Sequence, residues 1–229
     1  MSRKPVKRRP LNAGLIAGTA LALADADGME SFSFRNLAQK LGCEAMSIYH
    51  YFPSKAHLID AMVAICLSEV SFADTKAPWQ ERLRVAARNW RAMALRHPGF
   101  FPVVAVHRLN FREGLTTLNH IVEIFAASGL SLEAQARHFR VFGYYIVGAG
   151  LDEAIGYAKG PSAAVPVGPE EAMKLFPAII SIGKWFASEH REKTFDVGLE
   201  SLIAGMEAAL ATEMKMAGHA HGAAPPSKA

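Results

Sequence analysis

Phe32 to Leu58, FSFRNLAQKLGCEAMSIYHYFPSKAHL, holds two short apolar-periodic segments around a glycine, followed by the capped start of a third. Ser33 stands where a helix N-cap belongs, and Leu37, Ala38 and Leu41 follow at the spacing of one helical face. Gly42 supplies the backbone freedom for a turn, after which Ile48 and Phe52 form a second apolar series. The pattern predicts a helix-turn-helix. Small Ala38 lets the helices cross closely, Gly42 makes the bend, and β-branched Ile48 fills the gap beneath the second helix.

Positions left facing outward on that second helix suit a DNA groove. Ser47, Tyr49, His50 and Tyr51 offer hydrogen-bonding groups and flat apolar surface to base edges and phosphates. Ala45 and Met46, at the leading end, are small or pliable enough to approach thymine methyl groups. Pro53, Ser54 and Lys55 open the next helix, setting free backbone N–H groups and an ammonium where a phosphate fits. Packing is the plainer role for any one of these aromatics; the run taken together points to nucleic acid.

The chain has 229 residues, 51% of them hydrophobic, enough for a sizeable core in one large domain or in a small one plus a larger one. Charge favours two. Residues 1–60 hold 8 Lys and Arg against 5 Asp and Glu, whereas the remainder holds 17 against 16, so most of the excess lies beside the reading motif. Arg3, Lys4, Lys7, Arg8 and Arg9, interrupted by Pro5 and Pro10, form a basic arm over residues 1–10 rather than a helix face. Such an arm lies on phosphates or in a minor groove, or is a solvated terminus; the sequence leaves both open.

Cys43 and Cys66 are far apart and fit neither a disulfide framework nor a zinc spacing, which suits a reducing cytoplasm. Cys43, in the turn, reads as a small hydrophobe in preference to a redox site. No apolar run approaches the ~20 residues of a membrane span, and the basic start does not lead into a signal-peptide core. A soluble cytoplasmic protein is expected.

Along the rest of the chain nothing resembles a strand, and the expected fold is all-α. Leu11 to Ala26 reads as a first helix stopped by Gly28, and Ser54 starts a linking helix to about Val70. Pro78 opens a helix over Trp79 to Arg96; a short apolar piece follows from Phe100 to His107, then a helix from Arg112 to Ser128. Ser131 caps a long helix, Leu132 to Ala158, whose Gly143, Gly148 and Gly150 invite close approach by another backbone. Lys159 to Pro169 is the clearest internal loop, Glu170 to Phe186 the next helix, and Thr194 to Met214 the last, with Leu199, Leu202, Ile203, Met206 and Leu210 in one stripe. The division expected is a basic arm (1–10), a three-helix DNA-binding domain (11–53), a linking helix (54–72), a larger helical ligand-binding and dimerisation domain (73–214) and a flexible tail (215–229).

Residues 11 to 62 resemble the DNA-binding domain of the tetracycline-repressor (TetR) family of bacterial one-component regulators. The likeness rests on LAQKLG (Leu37 to Gly42), the Ile48-Tyr49 pair, Phe52, and Lys55 with Leu58. It implies DNA contacts at Arg35, Ala45, Met46, Ser47, Tyr49, His50, Tyr51 and Lys55, with Arg35 reading a guanine and Tyr49 and Lys55 gripping phosphates. A looser resemblance to the regulatory domain of tetracycline repressors lies in Pro78-Trp79-Gln80, Ser128 to Leu132, and Gly198 to Ile203 with Gly205. That likeness implies a homodimer held by a four-helix bundle, for which the segments around 132–158 and 194–214 are the candidates. Two-fold pairing also has a physical motive, since one motif reads too few base pairs and a pair spans half-sites about 34 Å apart.

An effector site is implied too. The aromatics of the second half, Trp90, Phe100, Phe101, Phe111, Phe125, Phe139, Phe142, Tyr145 and Trp185, suit an apolar pocket, although any single one is more often plain core. Trp90, Met93, His107 and Trp185 are the candidate effector residues. The tetracycline-binding member holds its ligand with a histidine in the linking helix, where Ser71 stands here, and with a metal-binding histidine near HPGFF, where this chain has valine. No metal site or cofactor is expected, His219 and His221 in the tail included. The function expected is a transcriptional repressor released from a palindromic operator by a small, largely apolar effector. The alternatives are an all-helical enzyme, for which no nucleophile-base set stands out, and an architectural DNA binder without a sensor.

Overall fold

A computed structural model describes residues 10–156 and 165–222, and among these every regular element is a helix. The basic arm from Arg3 to Arg9, most of the expected loop after Lys159, and the chain beyond Gly222 lie outside the described residues.

Three helices form an N-terminal head: α1 (Ala13–Asp27), α2 (Phe34–Leu41) and α3 (Ala45–Tyr49). Asn12 Oδ1 accepts the Leu15 N–H at 2.8 Å and Ser33 Oγ accepts the Asn36 N–H at 3.1 Å, so α1 and α2 each start with a satisfied donor. α2 stops at Gly42, whose φ of 66° is left-handed, and the Gly42 and Cys43 N–H groups close on the Gln39 and Ala38 carbonyls at 3.2 and 3.0 Å. Beneath that turn Leu37, Ile48 and Leu58 are fully buried.

α4 (Lys55–Ser68), capped by Ser54, packs along α1 and runs on to α7 (Arg112–Ala126), linking head to body. The body is completed by α5 (Trp79–Arg96), α6 (Phe101–Val106), α8 (Leu132–Ile155), α9 (Pro169–Leu175), α10 (Pro177–Ile182) and α11 (Arg191–Gly222). α5 packs between α7 and α8, and α8 also carries α6 and α11. Phe100, Phe101, Phe125, Leu83, Met93 and Leu199 are buried to the last few hundredths of their surface, and one apolar cluster runs unbroken from Ile16 to Met206. Arg91 pairs with Glu153 at 2.6 Å to tie α5 to α8, and Arg84 forks onto Glu200 to tie α5 to α11.

Head and body are also joined at the turn after α5. His97 Nδ1 lies 2.6 Å from Asp25 Oδ2 on α1, and Nε2 lies 3.1 Å from Glu69 Oε1 at the end of α4. The Phe100 N–H adds a 3.1 Å bond to Asp25 Oδ1, and Arg96 also reaches Glu69. Gly99 sits so close to α1 that a Cβ would come within 2.5 Å of the Ala24 carbonyl oxygen, which leaves room only for glycine.

Three expectations need correction. The helix expected from Glu170 to Phe186 is broken: α9 ends at Leu175, α10 starts at Pro177, and Gly183–Phe186 and Ser188–His190 are 3-10 turns. Pro177 lacks an N–H and holds Phe176 outside the helical region, at φ −130° and ψ 50°. The last helix begins earlier than Thr194, and it passes Met214 to reach Gly222 where a tail was expected. Alanine, glutamate and methionine dominate Ala208 to Ala217 and propagate it, while Glu213 is anchored by the Ser131 hydroxyl and N–H at 2.6 and 2.9 Å. Of the three glycines on α8, only Gly150 meets a close neighbour, and that neighbour is the Phe101 ring rather than a backbone.

Candidate nucleic-acid interface and ligand cavity

The short α3 gives the head its working surface. Arg35 at the start of α2, Met46 and Tyr49 on α3, His50 and Tyr51 just beyond it, and Lys55 at the start of α4 are all exposed; Ala45 and Ser47 are half-buried. The large apolar groups among them stand well out, Met46 at 67% and Tyr49 at 44% of full exposure, which a core role does not explain. Two of the aromatics have structural duties as well. The Tyr49 ring tilts against Phe34 at 4.7 Å, and the Tyr51 hydroxyl donates to the Leu11 carbonyl at 2.8 Å, bracing the start of α1. Lys55 Nζ lies 5.4 Å from the Phe32 ring centroid, which steers its ammonium along the entrance of α4.

In the body the candidate effector residues do not form one constellation. Trp90 and His107 share a cavity of about 140 Å³, walled by Val104, Ile121, Phe142 and Ile146. Trp90 is 6% exposed, and its Nε1 is the one buried side-chain polar atom among the described residues that has no hydrogen-bond partner. The far side of His107 reaches out of the body: Nε2 donates to Asp60 Oδ1 on α4 at 2.8 Å. Met93 is fully buried in the core and is not among the residues that line the Trp90 cavity. Trp185 is 56% exposed on a 3-10 turn and lines a separate, larger cleft of about 620 Å³ beside Tyr145, Glu153 and Phe195. Burial pushes the Tyr145 hydroxyl up to about 12, and it donates to the Phe195 carbonyl.

Sequence reasoning missed Asp60 and Asp25. Each is an acidic residue on a largely apolar helix, and only the fold brings them to His107 and His97. No group of three or more His, Cys, Asp or Glu suited to a metal occurs among the described residues. Both cysteines are free thiols, and burial raises Cys66 to about 12, so that group is inert.

A helix-turn-helix head on an all-helical body with an internal cavity defines a class of ligand-responsive DNA-binding regulators. Residues 16–62 match the family described as bacterial regulatory proteins, tetR family, and residues 73–210 match the tetracyclin repressor-like C-terminal domain. The chain belongs to the TetR family, whose members are DNA-binding transcription factors and not enzymes. It is 27% identical over 214 residues to the class D tetracycline repressor protein of Escherichia coli, covering 91% of this chain and 94% of that one. The Streptomyces coelicolor protein ActR, solved with actinorhodin, superposes with a TM-score of 0.70 at 24% identity, over 88% of this chain and 99% of its own. BioQ, solved with its double-stranded DNA operator, gives 0.63 at 19%, over 87% and 99%. No described helix is long and apolar enough to cross a membrane.

Proposed function

We propose that this protein is a cytoplasmic repressor that holds a palindromic operator as a homodimer and releases it when a small, largely apolar effector enters the Trp90–His107 cavity. Arg35, Ala45, Met46, Ser47, Tyr49, His50, Tyr51 and Lys55 are the residues assigned to DNA. α8 and α11 are assigned to the dimer interface; Val141 and Tyr144 on α8 and Val197 and Met214 on α11 are large apolar side chains left exposed in the single chain.

The observation that carries the effector reading is the position of His107, which lines the cavity and hydrogen-bonds Asp60 on the helix leading to the DNA-binding head. A ligand shifts an equilibrium only by its differential affinity for two states, so it has to touch something that moves with that helix. Trp90 sharpens the chemistry. Its orphan indole N–H favours an effector that places a hydrogen-bond acceptor, such as a carbonyl or ether oxygen, against an otherwise apolar frame.

Gly143 provides a clean test. It lines the cavity, and a Cβ there would meet nothing within 4 Å, so the position accepts a side chain and Gly143→Leu is the variant expected to fill the space. A compound found by thermal shift to stabilise and release the wild type from its operator is expected neither to stabilise nor to release this variant, whose operator affinity stays unchanged. Undiminished release from the filled variant would overturn the assignment.

A further inference from the structure

Arg82, on the first turns of α5, is only 9% exposed, yet its guanidinium makes no hydrogen bond or ion pair to any described residue. It lines a separate cavity of about 110 Å³ between the α4–α5 connection and α7, with Phe72, Ala73, Thr75, His120, Glu123 and Ile124. A guanidinium stays charged under any condition in which a protein folds; the Arg82 nitrogens keep contact with solvent in the cavity, and a charge so far withdrawn from water with no protein acceptor favours an anion beside it. Acids close by in the chain or in the cavity wall make contacts with other groups. Glu81 faces Arg84 at 3.8 Å, Asp74 Oδ1 accepts the Lys76 N–H at 2.9 Å, and Glu123 Oε1 accepts from Asn119 at 2.7 Å.

We propose that this cavity is a binding site for a small oxyanion, a phosphate or carboxylate group held on Arg82. The planar fork of the guanidinium matches two oxygens of such a group. His120, held edge-on against the Phe72 ring at 5.0 Å, and Thr75 stand at the exposed rim as further donors. The anionic group is what this cavity takes, and the rest of a bigger metabolite would extend through its open mouth. The site is distinct from the Trp90 cavity and shares no lining residue with it. It joins the connection after the linking helix to two helices of the body, so an anion seated there stiffens the hinge between them. Glu123 is the opposing charge at the mouth and sets the affinity low.

The experiment uses the full chain, melted at constant ionic strength while chloride is exchanged for phosphate, sulfate or acetate. A saturable rise in Tm with phosphate or acetate is expected. Sulfate and phosphate together, without acetate, indicate a tetrahedral oxyanion; acetate alone indicates a carboxylate. Arg82→Met is expected to weaken the midpoint at least about tenfold, the loss of a charge-assisted pair. Glu123→Gln is expected to tighten it, and His120→Ala to weaken it, which keeps the test decisive should Arg82→Met fail to fold. The proposal is overturned by three anions indistinguishable from chloride, or by midpoints that none of the soluble variants moves.

Discussion

Arg35, Met46, Tyr49, His50 and Lys55 stand exposed over the fully buried Leu37, Ile48 and Leu58 of the head, whereas in the body Trp90 and His107 turn inward to a cavity. The surface between body helices is given over to ion pairs such as Arg88 with Asp196 and Arg84 with Glu200. A head that reads a groove has to present its chemistry to the outside on a rigid support. A body that reports on a small molecule has to surround it. The contrast predicts that substitutions separate two functions cleanly, except at the joint where Asp25, Glu69, His97 and Gly99 hold the halves together.

The largest effect is expected from Leu37→Ala in the head. Removing a fully buried leucine costs about 2–5 kcal/mol, part of it for the cavity left behind. Operator binding should vanish in a gel-shift titration while the effector still raises the Tm of the body. If the effector response falls together with DNA binding, head and body are one cooperative unit and the contrast fails.

The head's outward face was legible in the sequence because its elements and exposed positions follow from local helical spacing: Ser33, Leu37, Gly42 and Ile48 fix α2, the turn and α3, and the DNA candidates are what remains, apart from Arg35, which the family resemblance supplied. The body was legible only as helices. Its functional contacts depend on pairs far apart in the chain, His107 with Asp60 and His97 with Asp25, which no local period encodes. The long last helix was cut short in the reading because the small, polar, proline-tipped composition from Lys215 onward suggested a tail, while the Glu213 to Ser131 anchor was invisible until α8 came alongside. The break at Pro177 was the opposite case, a local signal present in the sequence and passed over.

A smaller effect is expected at the joint. Replacing His97 by Leu removes the bonds to Asp25 and Glu69 and leaves two carboxylates facing an apolar group, at a cost of about 1–3 kcal/mol. The variant should still bind operator and effector separately, but effector should displace DNA less completely. Full displacement would mean that α4 and the His107 to Asp60 bond carry the coupling alone.

The acid limb of stability sharpens the same point. Burial works against the Glu69 carboxylate, but hydrogen bonds from His97 and Arg96 outweigh it and hold the group below its ordinary value of 4.5. A depressed carboxyl pKa adds stability that is fully present above 4.5 and is lost as pH falls through the lower folded value. Glu69→Gln should therefore melt lower than wild type near neutral pH and approach it only as the pH falls through that lower value. A constant gap across that range would place the stabilisation in shape rather than charge.

The smallest effects separate two kinds of contact within the head. Lys55, an exposed ammonium at the entrance of α4, is assigned to a phosphate, so Lys55→Ala should weaken all sequences alike and lower the slope of log affinity against log salt by about one. Arg35 is assigned to a guanine edge, so Arg35→Ala should cost about 1–3 kcal/mol on the operator and much less on unrelated DNA. The two slopes and the two specificity ratios together decide the assignment, because a phosphate contact moves the first and a base contact the second. Were Arg35→Ala to lower the salt slope and leave the specificity ratio unchanged, the guanine contact would pass to the side chains of α3, and Arg35 would join Lys55 as an anchor.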